Sequence, residues 1–142
     1  MLGETNLDVL LQTMQPLLAP EEYVFCTIDL EDINELDINS ISTFREKEGL
    51  TLILERQEAD NHGLTYKSIF SMITLTVHSS LDAVGFLAAI ATKLAEYNIS
   101  VNAVSAYYHD HLFVPVASAQ KAMVLLEELA TSFADCDRKK EK

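Results

Sequence analysis

The amino-acid sequence predicts an α+β fold of the ferredoxin-like, split βαβ kind (βαββαβ), used twice in tandem. Three observations predict it. The second half alternates strand, helix, strand, strand and helix, which gives antiparallel sheets with helices on one face. The stretches ISTFREKEGLTLIL (41–54) and VSAYYHDHLFV (104–114) share one pattern of β-branched residue, Ser, small residue, aromatic, polar turn and apolar strand. In this alignment Ser42 matches Ser105 and Phe44 matches Tyr107, with the longer turn in the first copy. Such an internal repeat points to two small similar units packed as a pseudo-dimer. Charge divides the same way: residues 1–65 hold 14 acids and 3 bases, net −11, and residues 66–142 hold 8 and 7, net −1. The expected boundaries are a divergent first unit at 1–65, a second unit at 66–134 and a solvated tail at 135–142.

The elements follow in chain order. Leu7, Leu10, Leu11, Met14 and Leu17 recur at spacings of three and four, so Asn6 to Met14 reads as a short amphipathic helix ended by Pro16 and Pro20. EYVFCTID (22–29) is a strand rich in aromatic and β-branched residues, and LEDINELDIN is an acidic connection. ISTFR (41–45) and LTLILE (50–55) are strands about a turn containing Gly49. QEADNHGL holds one or two helical turns, with Gly63 as their stop.

In the second half Ile69, Ser71, Ile73, Leu75 and Val77 line one face of a strand. SSLDAVGFLAAIATKLAEYN follows as a helix, with Val84, Leu87, Ala88, Ala91, Leu94 and Ala95 as its apolar stripe. Ser80 or Asp82 is its expected N-cap, and Asn98 ends it in a left-handed conformation. ISVNAVSAYY (99–108) and HLFVPV (111–116) are strands, the latter with Leu112, Val114 and Val116 facing the core. SAQKAMVLLEELATSF (118–133) is a final helix capped by Ser118.

Composition narrows the function. The 142 residues carry a net charge of −12, which argues against unspecific binding to nucleic acid or to an anionic membrane, since both need a basic face. The start lacks the basic region of a signal peptide, and the longest apolar run, AVGFLAAIA, falls short of the ~20 residues of a membrane helix. Two cysteines, Cys26 and Cys136, show no paired spacing, so a reducing, cytoplasmic setting is expected. Neither has a basic or histidine neighbour, so nothing in the sequence activates a thiol. Asp29, Glu31, Asp32, Glu35 and Asp37 read as a solvated acidic loop, without the glycine of a calcium loop. No catalytic motif is present, so no enzyme and no cofactor are expected.

SAYYHDHLFV (105–114) places two histidines about an aspartate. His109 and His111 on one strand face would suit a metal, but a zinc site needs three or four ligands and no others have the spacing. The bland reading makes His109-Asp110 an exposed hairpin turn. Gly85 stands in the first turn of a strong helix, where glycine costs ~1 kcal/mol relative to alanine. Tight packing explains it. So does a ligand close to the backbone, for HSSLDAVG leaves free N–H groups that favour a carboxylate or phosphate.

LTVHSSLDAVGFLAAIATKLAEYNISVNAVSAYYHDHLFV resembles an ACT domain, the small ligand-binding module of amino-acid metabolism. The likeness lies in the strand, the Asp82-x-x-Gly85 loop, the helix and second strand, and the hairpin. The hairpin is similar to that of aspartate kinase regulatory domains and of the related cytosolic arginine sensors. The whole chain resembles small bacterial stand-alone proteins with two ACT-like units. The resemblance implies a βαββαβ fold, paired side by side, with a small ligand at the first strand–helix loop and the start of the second strand. Those positions are Ser80, Leu81, Asp82, Ala83, Val84 and Gly85, then Ser100, Val101 and Asn102. It further implies that Asp82 meets an α-amino group and the helix N-terminus an α-carboxylate. Many members carry Asn where this chain has Ser100.

Two functions follow as expectations. One is a non-enzymatic regulatory or sensor module that binds a small molecule, an amino acid or similar, and forms a homo-oligomer. The other is an interaction module of the same fold with no ligand. A metal-dependent enzyme using His109 and His111 is the third and weakest.

Overall fold

Local sequence accounts for most of the elements. The structure, a computed structural model, describes residues 3–35 and 37–140, with the side chains of 33–35 and 134–140 outside the description. By its internal contacts the chain divides into a contiguous unit, Pro20–Ser71, and a split unit, Met1–Ala19 with Met72–Lys142.

In the contiguous unit, β1 (Pro16–Ile28, which enters it at Pro20), β2 (Ser42–Arg45) and β3 (Leu50–Glu55) lie in the order β2-β3-β1. Both pairings are antiparallel: Tyr23 faces Glu55 and Ile28 faces Leu50, while Ser42 faces Ile53 and Arg45 faces Leu50. Alternation puts Val24, Cys26, Leu52 and Leu54 on one face, where they bury together with Ala59 of α2 (Arg56–Asn61). α2 closes as expected at Gly63 (φ 66), with Leu64 N–H donating to Ala59 O at 2.9 Å and Gly63 N–H to Asp60 O at 3.1 Å. Arg56 ties this end of the unit together through Glu22 Oε1 at 3.0 Å and the Tyr66 hydroxyl at 3.2 Å.

β1 begins six residues before the expected strand, so Pro16 and Pro20 lie inside it rather than between elements. The acidic connection forms a 3-10 turn at Leu30–Glu35. Asp29, Glu31, Asp32 and Asp37 are exposed there, and the Glu35 side chain lies outside the described residues.

The split unit runs α1 (Leu7–Thr13), β4 (Phe70–Leu75, which enters it at Met72), α3 (Phe86–Ala95), β5 (Asn102–Ser105), β6 (Asp110–Pro115) and α4 (Ala119–Lys140). This is the expected α+β, ferredoxin-like order of strand, helix, hairpin and helix, with α1 added. The strands lie in the order β4-β6-β5. Asn6 caps α1, its Oδ1 accepting from Val9 N–H at 3.1 Å. Leu10 and Leu11 of α1, Ile73 and Leu75 of β4, Ile90 and Leu94 of α3, Leu112 and Val114 of β6, and Leu125 and Leu126 of α4 form one core. So the three helices cover one sheet face. Asn98 is left-handed (φ 59) as expected. Behind it Ile99 N–H donates to Leu94 O at 3.1 Å and Asn98 N–H to Ala95 O at 3.0 Å, with Ile99 and Leu94 both in the core.

Several expectations are corrected. α3 starts at Phe86, and its N-cap is Gly85, not Ser80 or Asp82. Its buried stripe is therefore Phe86, Ile90 and Leu94; Val84, outside the helix, is 83 % exposed, and Ala88 and Ala95 are exposed. Val116 leaves the core for a 3-10 turn, Val116–Ser118, in which Ser118 is the last residue. α4 continues past Phe133 to Lys140. The side chains of the expected solvated tail, that of Cys136 among them, lie outside the description. Among the described residues, no helix is long and apolar enough to cross a membrane.

The hairpins are corrected most. Ser105 faces Asp110 across β5 and β6, and Ala106 N–H donates to His109 O at 3.0 Å. The tip is thus Tyr107-Tyr108, and Asp110 is a strand residue rather than part of the turn. In the first hairpin Arg45 faces Leu50, and Glu46 N–H donates to Gly49 O at 2.9 Å. The two turns are equally long. Ser42 corresponds to Asn102, not Ser105, and Leu50 corresponds to Asp110.

Candidate functional site

A cleft of ≈ 210 Å³ opens in the split unit between the loop after β4, the first turn of α3 and the β5–β6 hairpin. Its floor is polar. Asp110 is only 6 % exposed, and its Oδ2 accepts from the Ser79 hydroxyl at 3.0 Å. Ser79 is as deeply buried as Asp110. Burying a carboxylate is costly unless it is paired, so one neutral donor leaves Asp110 with capacity for a cation.

The opposite wall is the start of α3, where Phe86, Leu87 and Ala88 line the cleft. These are the first three helical residues, whose N–H groups have no intrahelical acceptor, and no side chain caps them. The N-cap Gly85 has φ 92, the left-handed region that L-residues other than Asn and Asp rarely enter. A side chain there would also reach Leu7, whose Cδ2 lies 3.3 Å from the Cβ position. Both explanations of Gly85 given above, close packing and an open helix N-terminus, therefore meet at one residue. The backbone turns into α3 through Ser80, whose Oγ accepts from Asp82 N–H at 3.1 Å and whose carbonyl accepts from Ala83 N–H at 3.0 Å.

Of the residues named from the sequence, Ser80, Leu81, Ala83 and Gly85 line the cleft together. Asp82 and Val84 belong to the same loop but are exposed and do not line it. Ser100 is exposed, Val101 packs against the core and Asn102 is an exposed residue opposite Phe113. None of those three lines the cleft. Sequence reasoning missed Ser79, Phe86, Leu87, Ala88, Ser105 and Asp110 as lining residues. The signal for Asp110 was present: an acidic residue at the head of the apolar strand DHLFVP.

The histidines form a separate feature. His109 and His111 share one side of the hairpin, ring centroids 6.4 Å apart, and His111 Nδ1 is 2.9 Å from Thr74 Oγ1. Burial, with His109 beside it, lowers the His111 pKa, opposed by Asp110. His78 lies against Tyr108 (5.3 Å) and Tyr107 (6.4 Å). Among the described residues no three metal-ligating side chains gather. Cys26 is buried, and burial together with nearby Asp60 raises its pKa, the reverse of what a reactive thiol needs.

Comparison with known proteins accords with this architecture. Two family models, both described as ACT domain, match residues 2–71 and 67–128. A crystal structure of a Vibrio cholerae protein of unknown function, described as a possible transport protein, is 52 % identical over 87 % of this chain and 95 % of its own, with a TM-score of 0.77. An Agrobacterium tumefaciens protein is 15 % identical over 82 % of this chain and 89 % of its own, TM-score 0.67. Aspartate kinase from Clostridium acetobutylicum, an allosteric enzyme, is 12 % identical over 89 % of this chain and 36 % of its own, TM-score 0.63. No curated protein matches the chain. The two consecutive matches run through nearly the whole sequence, and the chain belongs to the ACT domain family, with two ACT units in tandem.

Proposed function

We propose that the chain is a non-enzymatic regulatory module that binds an amino acid in the cleft of its split unit. One observation carries this reading: a buried carboxylate, Asp110, and an uncapped helix N-terminus share one small cleft. A free α-amino acid presents an ammonium and a carboxylate on neighbouring atoms. Its ammonium pairs with Asp110, and its carboxylate takes the N–H groups of Phe86 to Ala88, where the helix dipole favours negative charge. Leu81 and Leu87, also at the cleft, leave its side chain an apolar wall. ACT domains are regulatory rather than catalytic, which supports a module without chemistry of its own. The ligand acts on a regulated partner only as far as it prefers one state of the module.

A second reading has its own support. Leu81, Val84, Tyr107 and Tyr108 are 59 to 83 % exposed on the cleft loop and hairpin tip. Exposed apolar side chains so placed favour an interaction surface, a homo-oligomer contact included.

Thermal unfolding against a panel of the common amino acids tests the first reading. A ligand at 100 times its Kd adds ~2.7 kcal/mol. A shift that falls by half or more in Asp110→Asn supports the site. No shift with any amino acid removes the first reading and leaves the second.

A further inference from the structure

We propose that the segment Gly3–Leu7 is a positioning strap for the cleft loop, so that docking of this strap and occupancy of the cleft are coupled. The inference rests on the reading of the cleft as an amino-acid site.

The strap lies against the loop at several points. Glu4 N–H donates to His78 O at 2.8 Å, and Ser80 N–H donates to Glu4 O at 2.8 Å. Glu4 and Ser79 thereby form an isolated parallel bridge. These bonds flank Ser79, whose hydroxyl holds Asp110. Gly3 approaches so closely that a Cβ would lie 2.6 Å from Ser80 N and 2.8 Å from the Ser79 carbonyl carbon. Glu4 Oε1 then accepts from Thr5 N–H (3.0 Å) and Asn6 N–H (2.9 Å), which joins the strap to the cap of α1. Leu7, the first residue of α1, meets Gly85 at the far end of the same loop.

The loop is thus held at both ends by residues 74 to 78 positions away in sequence. Ser79 and Ser80 can keep their place at the cleft only while residues 3 and 4 are docked. A ligand that fixes the loop therefore favours the docked strap, and an undocked strap weakens the ligand by the same factor, since coupling is reciprocal. α1 packs on α3 and α4, so the strap also links the cleft to the helical face of the unit.

Amide hydrogen exchange on the whole chain, with and without a mixture of the common amino acids, reads the coupling directly. The amides of Glu4 and Ser80 are themselves the donors of the two strap bonds. The expected result is slower exchange at both, together with slower exchange at Phe86 to Ala88. Slowing at Phe86 to Ala88 with Glu4 and Ser80 unchanged overturns the coupling and leaves the amino-acid site standing. No slowing at either place overturns both. Gly3→Val supplies a second measurement: affinity is expected to fall about tenfold, within the usual range of coupling between sites. Unchanged affinity in a folded Gly3→Val protein overturns the proposal.

Discussion

Asp110 and Leu50 hold one and the same register position in the two hairpins. Each opens the second strand after a four-residue turn, Asp110 opposite Ser105 and Leu50 opposite Arg45. The split unit has a buried carboxylate where the contiguous unit has an aliphatic side chain packed against its core. An ammonium has a counter-ion at this position in one unit and none in the other. Titration calorimetry with the amino acid found by thermal screening is therefore expected to give one site per chain. Asp110→Asn is expected to weaken it about 10- to 150-fold, the worth of a charge-assisted hydrogen bond at ~1.5–3 kcal/mol. The matching 2-hydroxy acid, which lacks the ammonium, is expected not to compete.

Gly85 combines a left-handed backbone with a close neighbour. Gly85→Ala is expected to destabilise the fold by about 1–2 kcal/mol from backbone strain, with a further contribution if Leu7 fails to move. Urea unfolding measures it, and an unchanged midpoint would show that the loop relaxes into another path.

The start of α3 sets which residues of that helix are buried. Ile90→Ala is expected to cost about 2–5 kcal/mol, as cavity-forming changes do. Val84→Ala is expected to stay within about 0.5 kcal/mol, as exposed positions do. The stripe expected from the sequence, which included Val84, requires a large loss at that position instead.

His111 makes stability depend on pH. Burial and His109 disfavour its charged form, so its folded pKa lies below the unfolded value of 6.5. The unfolded chain then binds more protons below that value, and stability rises with pH through this window. The contribution is present above the unfolded pKa and is lost as pH falls through the folded one. His111→Gln is expected to flatten the melting temperature between pH 7 and pH 5, and an equally steep fall in the variant would assign the effect to other groups.

Cys26 is expected to resist alkylation by iodoacetamide at neutral pH in the native protein and to react once the chain is unfolded, because its thiol is buried with a raised pKa. Peptide mass spectrometry separates it from Cys136.

Much of this architecture was legible in the sequence because it is written locally. Asn6, Gly63 and Asn98 mark helix ends through short-range bonds of their own. Alternation in LTLILE gives β3 its bounds as expected. The errors arose where spatial neighbours decide. Ser42 and Ser105 look alike in sequence, but strand register follows turn length and cross-strand bonding, which pair Ser42 with Ile53 and Ser105 with Asp110. Asp110 looks like turn chemistry until its burial beside Ser79 is known. Gly85 looks like a flaw inside a helix, whereas its positive φ makes it the entrance. No periodicity reveals that residues 3–7 pack against residues 78–85.

The membership of α1 in the split unit has a consequence for how the chain is made. Pro20–Ser71 is contiguous, so all of its internal contacts are available once residue 71 has left the ribosome. Leu10 and Leu11, synthesised earlier, must wait for Leu125 and Leu126 before their shared core exists. Until then Leu10 and Leu11 have no core to bury in, and contacts between residues so far apart in sequence form slowly. A fragment that begins after residue 66 lacks α1 permanently, and with it the Leu10 and Leu11 side chains of the split unit's core.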